Sequence, residues 1–275
     1  MAKRIRKPAV AGTFYPAEKE TLDQKIAIYL ENSRPVEIVS KVYGLIVPHA
    51  GYIYSGGVAA RAYRQIVDRD FDIVVVISPS HRIYFEEISV YDGDAYETPL
   101  GTIEVDKDKA RRLAAMSPNI IVSDLGHEID EHALEVQLPF LQHVLYDFKL
   151  LPIVMGNQDA ANVDALSKAL AELLKDCNAL IVASSDLSHF HNYDKAVLLD
   201  KVVVEDINEF NDIKLAQDLT SNACEMCGGG PVLAAMKACR KLGANKAKVL
   251  LYRNSGDVSG EKDQVVGYLA GMLYS

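Results

Sequence analysis

Five apolar runs constrain this chain more than any other feature: Gly44-Leu45-Ile46-Val47, Ile73-Val74-Val75-Val76-Ile77, Leu150 through Met155, Leu180-Ile181-Val182-Ala183, and Lys248 through Tyr252. A strand with one wet face alternates apolar and polar residues; a continuous run calls for cover on both faces. Between the runs lie segments of helical periodicity at 18–31, 55–67, 106–115, 131–146, 159–175, 194–210 and 231–242. Such alternation predicts an α/β fold with a mostly parallel sheet sandwiched between helix layers. Asp159 is placed to cap one helix, and Pro231 and Gly243 bracket another in the favoured order. The stretch 88–105 differs, because Thr98-Pro99-Leu100-Gly101 sits between two strand-like segments and reads as an antiparallel turn. The sheet is therefore expected to be mixed. With no internal repeat and no Pro- or Gly-rich linker, the expectation is a single domain over 1–275.

Composition narrows the function classes. The hydrophobic fraction is 49 % and the charged fraction 24 %, ordinary for a packed globular chain. Acidic residues outnumber basic ones by 38 to 29, for a formal net charge of -9, which speaks against a nucleic-acid or anionic-membrane partner. Lys3-Arg4-Arg6-Lys7 is not followed by the apolar stretch and cleavage site of a secretory signal, and no apolar run is long enough to span a bilayer. A cytoplasmic location is expected. Four cysteines are too few for a disulfide scaffold at this length, so their interest is metal binding or reactivity.

The histidines fall at strand ends. His49 follows Leu45-Ile46-Val47, His81 follows Ile73 to Ile77 through Ser78-Pro79-Ser80, and Asp186 and His189 follow Leu180 to Ala183. The carboxyl ends of strands in an open parallel sheet form a ligand crevice, where residues distant in sequence converge. His49 and His81 are 32 residues apart, about one βαβ unit, which would place them on neighbouring strands. Each alone is as readily a surface or carbonyl-bonded loop histidine; the coincidence of three carries the weight. A third ligand is open among Asp186, Glu131 and the Cys224-Glu225-Met226-Cys227 stretch, a lone CxxC that by itself marks neither zinc nor a redox pair.

Cys227 leads through Gly228-Gly229-Gly230 into a helix, whose amides would favour a thiolate and whose glycines would allow close approach. Cys177 and Cys239 read as inert core residues, and Cys224 is undecided. Acidic residues around Glu131 read equally as helix-dipole partners or as groups aimed into the crevice by a break at Pro139. His127 and His143 read as solvated or packing residues. Tyr52, Tyr54, Tyr84 and Tyr96 are candidates to line a pocket or simply to pack.

The stretches Arg6-Lys7-Pro8-Ala9-Val10-Ala11-Gly12-Thr13-Phe14-Tyr15-Pro16, Pro48-His49-Ala50-Gly51-Tyr52, Ser78-Pro79-Ser80-His81, Glu97-Thr98-Pro99-Leu100-Gly101, Glu131 through Pro139, Ser184 through His189, and Cys227-Gly228 together resemble the Memo family. That family is similar in fold to class III extradiol dioxygenases of the LigB type. The resemblance runs over essentially the whole chain. It implies a LigB-like fold, a vestibule with His49, His81 and Cys227 as ligands of one iron or copper ion, Asp186 and His189 beside them, and redox chemistry of no settled reaction. True extradiol dioxygenases complete two histidines with a glutamate; a thiolate in its place favours softer ions and argues against catechol cleavage.

Two functional readings follow. In one the chain is a non-haem metal-dependent oxidoreductase, with His189 as general acid or base and Asp186 orienting an imidazole or polarising a bound water. In the other it is a catalytically inactive dioxygenase-like fold that binds a peptide or small molecule in the vestibule. A zinc hydrolase ranks lower, since no HExxH helix is present, and no P-loop or nucleotide fingerprint occurs.

Overall fold

Four of the five continuous runs lie in the middle of the molecule, covered on both sides. The computed structural model describes residues 3–35, 40–128 and 130–275. In chain order the elements are β1 (Ile5–Arg6), α1 (Lys19–Glu31), β2 (Val42–Val47), α2 (Tyr52–Tyr63), β3 (Ile73–Pro79), β4 (Ile88–Val90), β5 (Ala95–Thr98), β6 (Gly101–Glu104), α3 (Lys107–Ala114), β7 (Ile120–Val122) and α4 (Leu138–Val144). There follow β8 (Lys149–Met155), α5 (Ala160–Leu174), β9 (Ala179–Ser184), β10 (His189–His191), α6 (Tyr193–Asn208), α7 (Asp212–Thr220), α8 (Gly229–Leu242), β11 (Lys246–Asn254), α9 (Gly256–Ser259) and β12 (Val265–Tyr274).

The main sheet runs β10-β12-β2-β9-β3-β8-β4-β7, with β11 also paired to β12. Its centre, β2, β9, β3 and β8, is parallel, and antiparallel strands flank it at β12 and β4. Alternate residues of each central strand enter different cores. Ile73, Val75 and Ile77 join Ile181 and Ala183 against Leu166 and Leu170 of α5 and Ala234 and Ala235 of α8. Val74 and Val76 join Leu180 and Val182 against Leu22 and Ile26 of α1, Val58 of α2 and Phe140 of α4. Full burial of such a side chain stabilises by about 1.5–3 kcal/mol, which is why neither face of these runs tolerates polarity. The fold is one α/β domain with a mixed, centrally parallel sheet between helix layers, as expected.

Four details depart from the sequence reading. The fifth run, Lys248 to Tyr252, lies in β11, which is only partly covered and pairs antiparallel with β12. The better-buried C-terminal strand is β12 itself, inserted between β11 and β2. β2 and β3 are not neighbours, because β9 lies between them and pairs with both. The helical segment expected over 131–146 is confined to a short 3-10 turn at Glu135–Gln137 and α4, with Pro139 in the first turn of α4, where a missing N–H costs nothing. The hairpin at 98–101 forms as expected, but β5 and β6 pair with β1 in a small separate sheet rather than with the main one.

Candidate metal centre

The parallel strands β2, β9 and β3 end side by side at Val47, Ser184 and Pro79. Each therefore delivers its next residues to the same edge: His49 from β2, Asp186 from β9, His81 from β3. Cys227 arrives from the opposite direction, one residue before Gly228, the N-cap of α8. A side chain at Gly228 would put its Cβ 2.3 Å from the Ser184 carbonyl oxygen, so only glycine lets the thiol approach the end of β9 this closely. One ligand atom each from His49, His81 and Cys227 lie within 4.8 Å of one another. The His49 and His81 ring centroids are 5.0 Å apart.

A proton inventory settles which atoms face inward. The single hydroxyl proton of Ser184 is donated to the Ala133 carbonyl (2.7 Å), and Ser184 Oγ accepts from Gln137 Nε2 (2.8 Å). Its remaining lone pair meets His49 Nδ1 at 2.8 Å, so Nδ1 must carry the proton and His49 Nε2 a lone pair. That Nε2 lies 3.2 Å from Cys227 Sγ. Gln137 is itself held by the Pro48 carbonyl, to which it donates, and by the Tyr63 hydroxyl, from which it accepts.

His81 is oriented by Glu131, a candidate third ligand on sequence, whose carboxylate meets the imidazole. Glu131 Oε1 lies 3.1 Å from His81 Nδ1 and accepts the amides of His132 and Ala133, while Oε2 accepts the His81 amide at 2.5 Å. Burial pushes this carboxyl upward, but the His81 contact and the amides outweigh it and hold it down to about 2. An ionised carboxylate can only accept, so His81 Nδ1 donates and Nε2 is free to coordinate. His132 stacks on His81 at 5.0 Å and stands edge-on to His49 at 5.6 Å; its buried Nδ1 makes no hydrogen bond and lies 3.7 Å from Glu131 Oε1.

The N-terminal motif explains how that loop is held. Arg6 donates to the carbonyls of His127, Glu128 and Glu131 and pairs with the fully buried Glu135. Glu135 also accepts the amides of Ala9 and Val10 and the Tyr15 hydroxyl. Phe14 packs edge-on against the His132 ring at 4.7 Å, and its carbonyl accepts the Tyr52 amide at 2.7 Å. The strap 6–15 thus ties the loop of Glu131 and His132 to the loop of His49.

The electrostatics favour neutral, unsolvated donors. Burial, then the neighbouring His81, lowers His49 well below the ordinary imidazole range. Burial, then His49, lowers His132 to about 4. Asp186 accepts the His49 amide at 2.8 Å, yet burial raises its carboxyl to about 6. Cys227 corrects an expectation: its Sγ accepts the Asp186 amide at 3.2 Å, but burial and the Asp186 charge push the thiol up to about 12. Without a cation the helix N-terminus does not win, and the group is a thiol. His189 opens β10; its Nδ1 lies 2.8 Å from the Leu187 carbonyl, which can only accept, so Nε2 is the atom left for a ligand. It is near enough to act on the charges of both His49 and Asp186.

Other candidates fall elsewhere. Cys224 and Cys239 are buried in the core, and Cys177 is half-buried at the end of α5. Tyr52 and Tyr96 are packing residues whose hydroxyls meet the Val136 carbonyl and His127 Nδ1, whereas Tyr54 and Tyr84 are exposed. His127 is buried and lowered to about 3 by that burial; His143 pairs with Asp23 at 2.7 Å. Among the described residues no helix is long and apolar enough to cross a membrane.

An α/β sheet that converges two imidazoles and a thiol on its carboxyl edge defines a class of strand-end donor sites, and comparison with known proteins narrows it. The Memo-like protein family matches residues 6–272. The chain is 37 % identical over 281 residues to a MEMO1 family protein of Methanobrevibacter smithii, covering 98 % of this chain and 99 % of the relative. It is 40 % identical to one from Methanosarcina mazei (97 % and 98 % covered) and 39 % identical to one from Aquifex aeolicus (98 % and 99 % covered). The chain belongs to the Memo family. An uncharacterized Escherichia coli K12 protein of known structure superposes with a TM-score of 0.58 at 15 % identity, over 84 % of this chain and 99 % of that one, a likeness of fold alone.

Proposed function

We propose that the chain binds one iron or copper ion through His49 Nε2, His81 Nε2 and Cys227 Sγ and uses it for oxidation or reduction of a small molecule in the vestibule. The observation that carries this reading is the hydrogen-bond inventory: both imidazoles have their Nδ1 protons committed outward, and the His49 lone pair faces the thiol at 3.2 Å. Two borderline nitrogens and one soft sulfur suit Fe(II) or Cu(I) better than a hard oxygen-seeking ion. The bound ion would supply the electron transfer and a position open to ligand.

The chain's own residues set the rest. Ser184 and Glu131 fix the tautomers of His49 and His81 and keep both rings aimed. Cys227 would lose its proton on loading, and Asp186, whose amide donates to Cys227 Sγ and whose carbonyl accepts the Cys227 amide, is the neighbouring carboxyl to take up a proton there. His189 presents Nε2 for proton exchange with a ligand. Anaerobic loading with Fe(II) or Cu(I), followed by metal analysis, should give one ion per chain in the native protein and well under half that in His49→Ala and Cys227→Ser. Unchanged stoichiometry in both variants overturns the assignment. Metal-dependent oxygen uptake with mild reductants separates redox chemistry from a pure binding role.

A further inference from the structure

Shortly after each of His49, His81 and His189 the chain raises a large apolar side chain into solvent, Ile53 from the first turn of α2, Tyr84 from the loop after β3 and Phe190 from β10. Ile53 follows His49 and is 66 % exposed, Tyr84 follows His81 and is 71 % exposed, and Phe190 follows His189 and is 68 % exposed. Their neighbours Pro48, Phe85 and Leu187 are buried in the ordinary way.

Phe190 differs further, because its backbone is left-handed, with φ of +60°. It is the extra residue of a bulge, since the pairing of β10 with β12 shifts register between His189 and His191. A bulky residue in this region is strained. Phe210 has a similar φ of +52°, but its ring is buried and carries the Arg240 guanidinium 4.1 Å from its centroid. Packing explains Phe210. Among the described residues the one aromatic neighbour of the Phe190 ring is His189, in an edge-on contact with 5.6 Å between centroids. The bulge thus turns His189 inward and holds an uncovered aromatic face at its side.

We propose that Phe190 is a specificity-determining residue of the vestibule, stacking on the flat apolar body of a ligand whose polar head reaches the metal position. The inference rests on the metal reading above. It places the ligand among small molecules that join a coordinating head to a ring or similar planar apolar group.

Co(II)-loaded protein titrated with imidazole and with 4-phenylimidazole tests it, read by the Co(II) absorption bands. The two probes share a coordinating nitrogen and differ by one ring. In the native protein 4-phenylimidazole should bind about tenfold more tightly than imidazole, the advantage of one stacked, buried ring. Phe190→Ala and Phe190→Gly should reduce that ratio to below about threefold while leaving the affinity for imidazole within about twofold. Glycine accepts the left-handed backbone, so the second variant guards against misfolding of the first. If both variants keep the native ratio, Phe190 is not the contact and this proposal falls alone. If the native protein takes up none of Co(II), Fe(II) and Cu(I), the metal reading and this one fall together.

Discussion

Asp186 is a carboxyl kept where its charge is poorly solvated. Its folded value of about 6 lies above the ordinary aspartate range of about 3.9. The folded state therefore binds the proton more tightly than the unfolded chain, and stability falls as pH rises from about 4 through 6, the loss being complete above the folded value. In metal-free protein, Asp186→Asn keeps an oxygen for the His49 amide and removes the charge. Urea unfolding should find the variant more stable than native at pH 7–8 by on the order of 3 kcal/mol, with the gap closing as pH falls to 4. A gap independent of pH would contradict this. Glu131 has the opposite sign: held near 2 by His81 and backbone amides, it contributes stability above about pH 4.5 that is lost on acidification. Nothing in the sequence tells the two carboxyls apart. What separates them is that Glu131 is met by three amides and hydrogen-bonded by an imidazole, whereas the two amides that reach Asp186 do not offset its burial.

Among the elements, the strap 6–15 has the clearest energetic consequence. Arg6 is buried against Glu135, so Arg6→Met leaves a buried carboxylate without its cation and should cost about 3–5 kcal/mol in urea unfolding. Lys7→Met, which removes a solvent-exposed pair with Glu97, should cost less than about 1 kcal/mol. Equal losses would mean that the strap is not the clamp described. The helical elements were legible where local chemistry agreed with periodicity: Asp159 caps α5 by accepting the Asn162 amide at 2.8 Å, and Gly243 closes α8 with φ of +116°. The segment from 131 misled because its apolar spacing is helical while Glu131 spends its carboxylate on His81 across the molecule. β12 escaped notice because Gly267 and Gly271 interrupt it. A Cβ at Gly267 would lie 2.0 Å from Asp200 Oδ2, so that glycine marks close packing rather than a break.

Over the whole molecule, one sheet serves two cores, and neither can melt without exposing the strands of the other. Leu166→Ala, in the α5-side core, and Leu141→Ala, in the α4-side core, should each lower stability by about 2–5 kcal/mol. Both should do so within a single thermal transition. With no tryptophan in the chain, near-ultraviolet tyrosine signals and far-ultraviolet dichroism are the probes to superimpose. A second transition in either variant would show that the layers unfold separately.

The amino-acid sequence by itself determined that this is an α/β chain with a covered, mainly parallel sheet, because short unbroken apolar runs alternating with segments of helical period suit strands covered on both faces by helices. It also placed His49, His81 and Asp186 at strand ends, since strand direction alone sends such residues to one edge. Only the tertiary structure decided that β9 separates β2 from β3, that Glu131 orients His81, that burial and the Asp186 charge hold Cys227 as a thiol, and that Phe190 stands strained and uncovered beside His189. Those outcomes depend on which groups share a buried volume, and burial and partnership are properties of distances that a linear spacing does not contain.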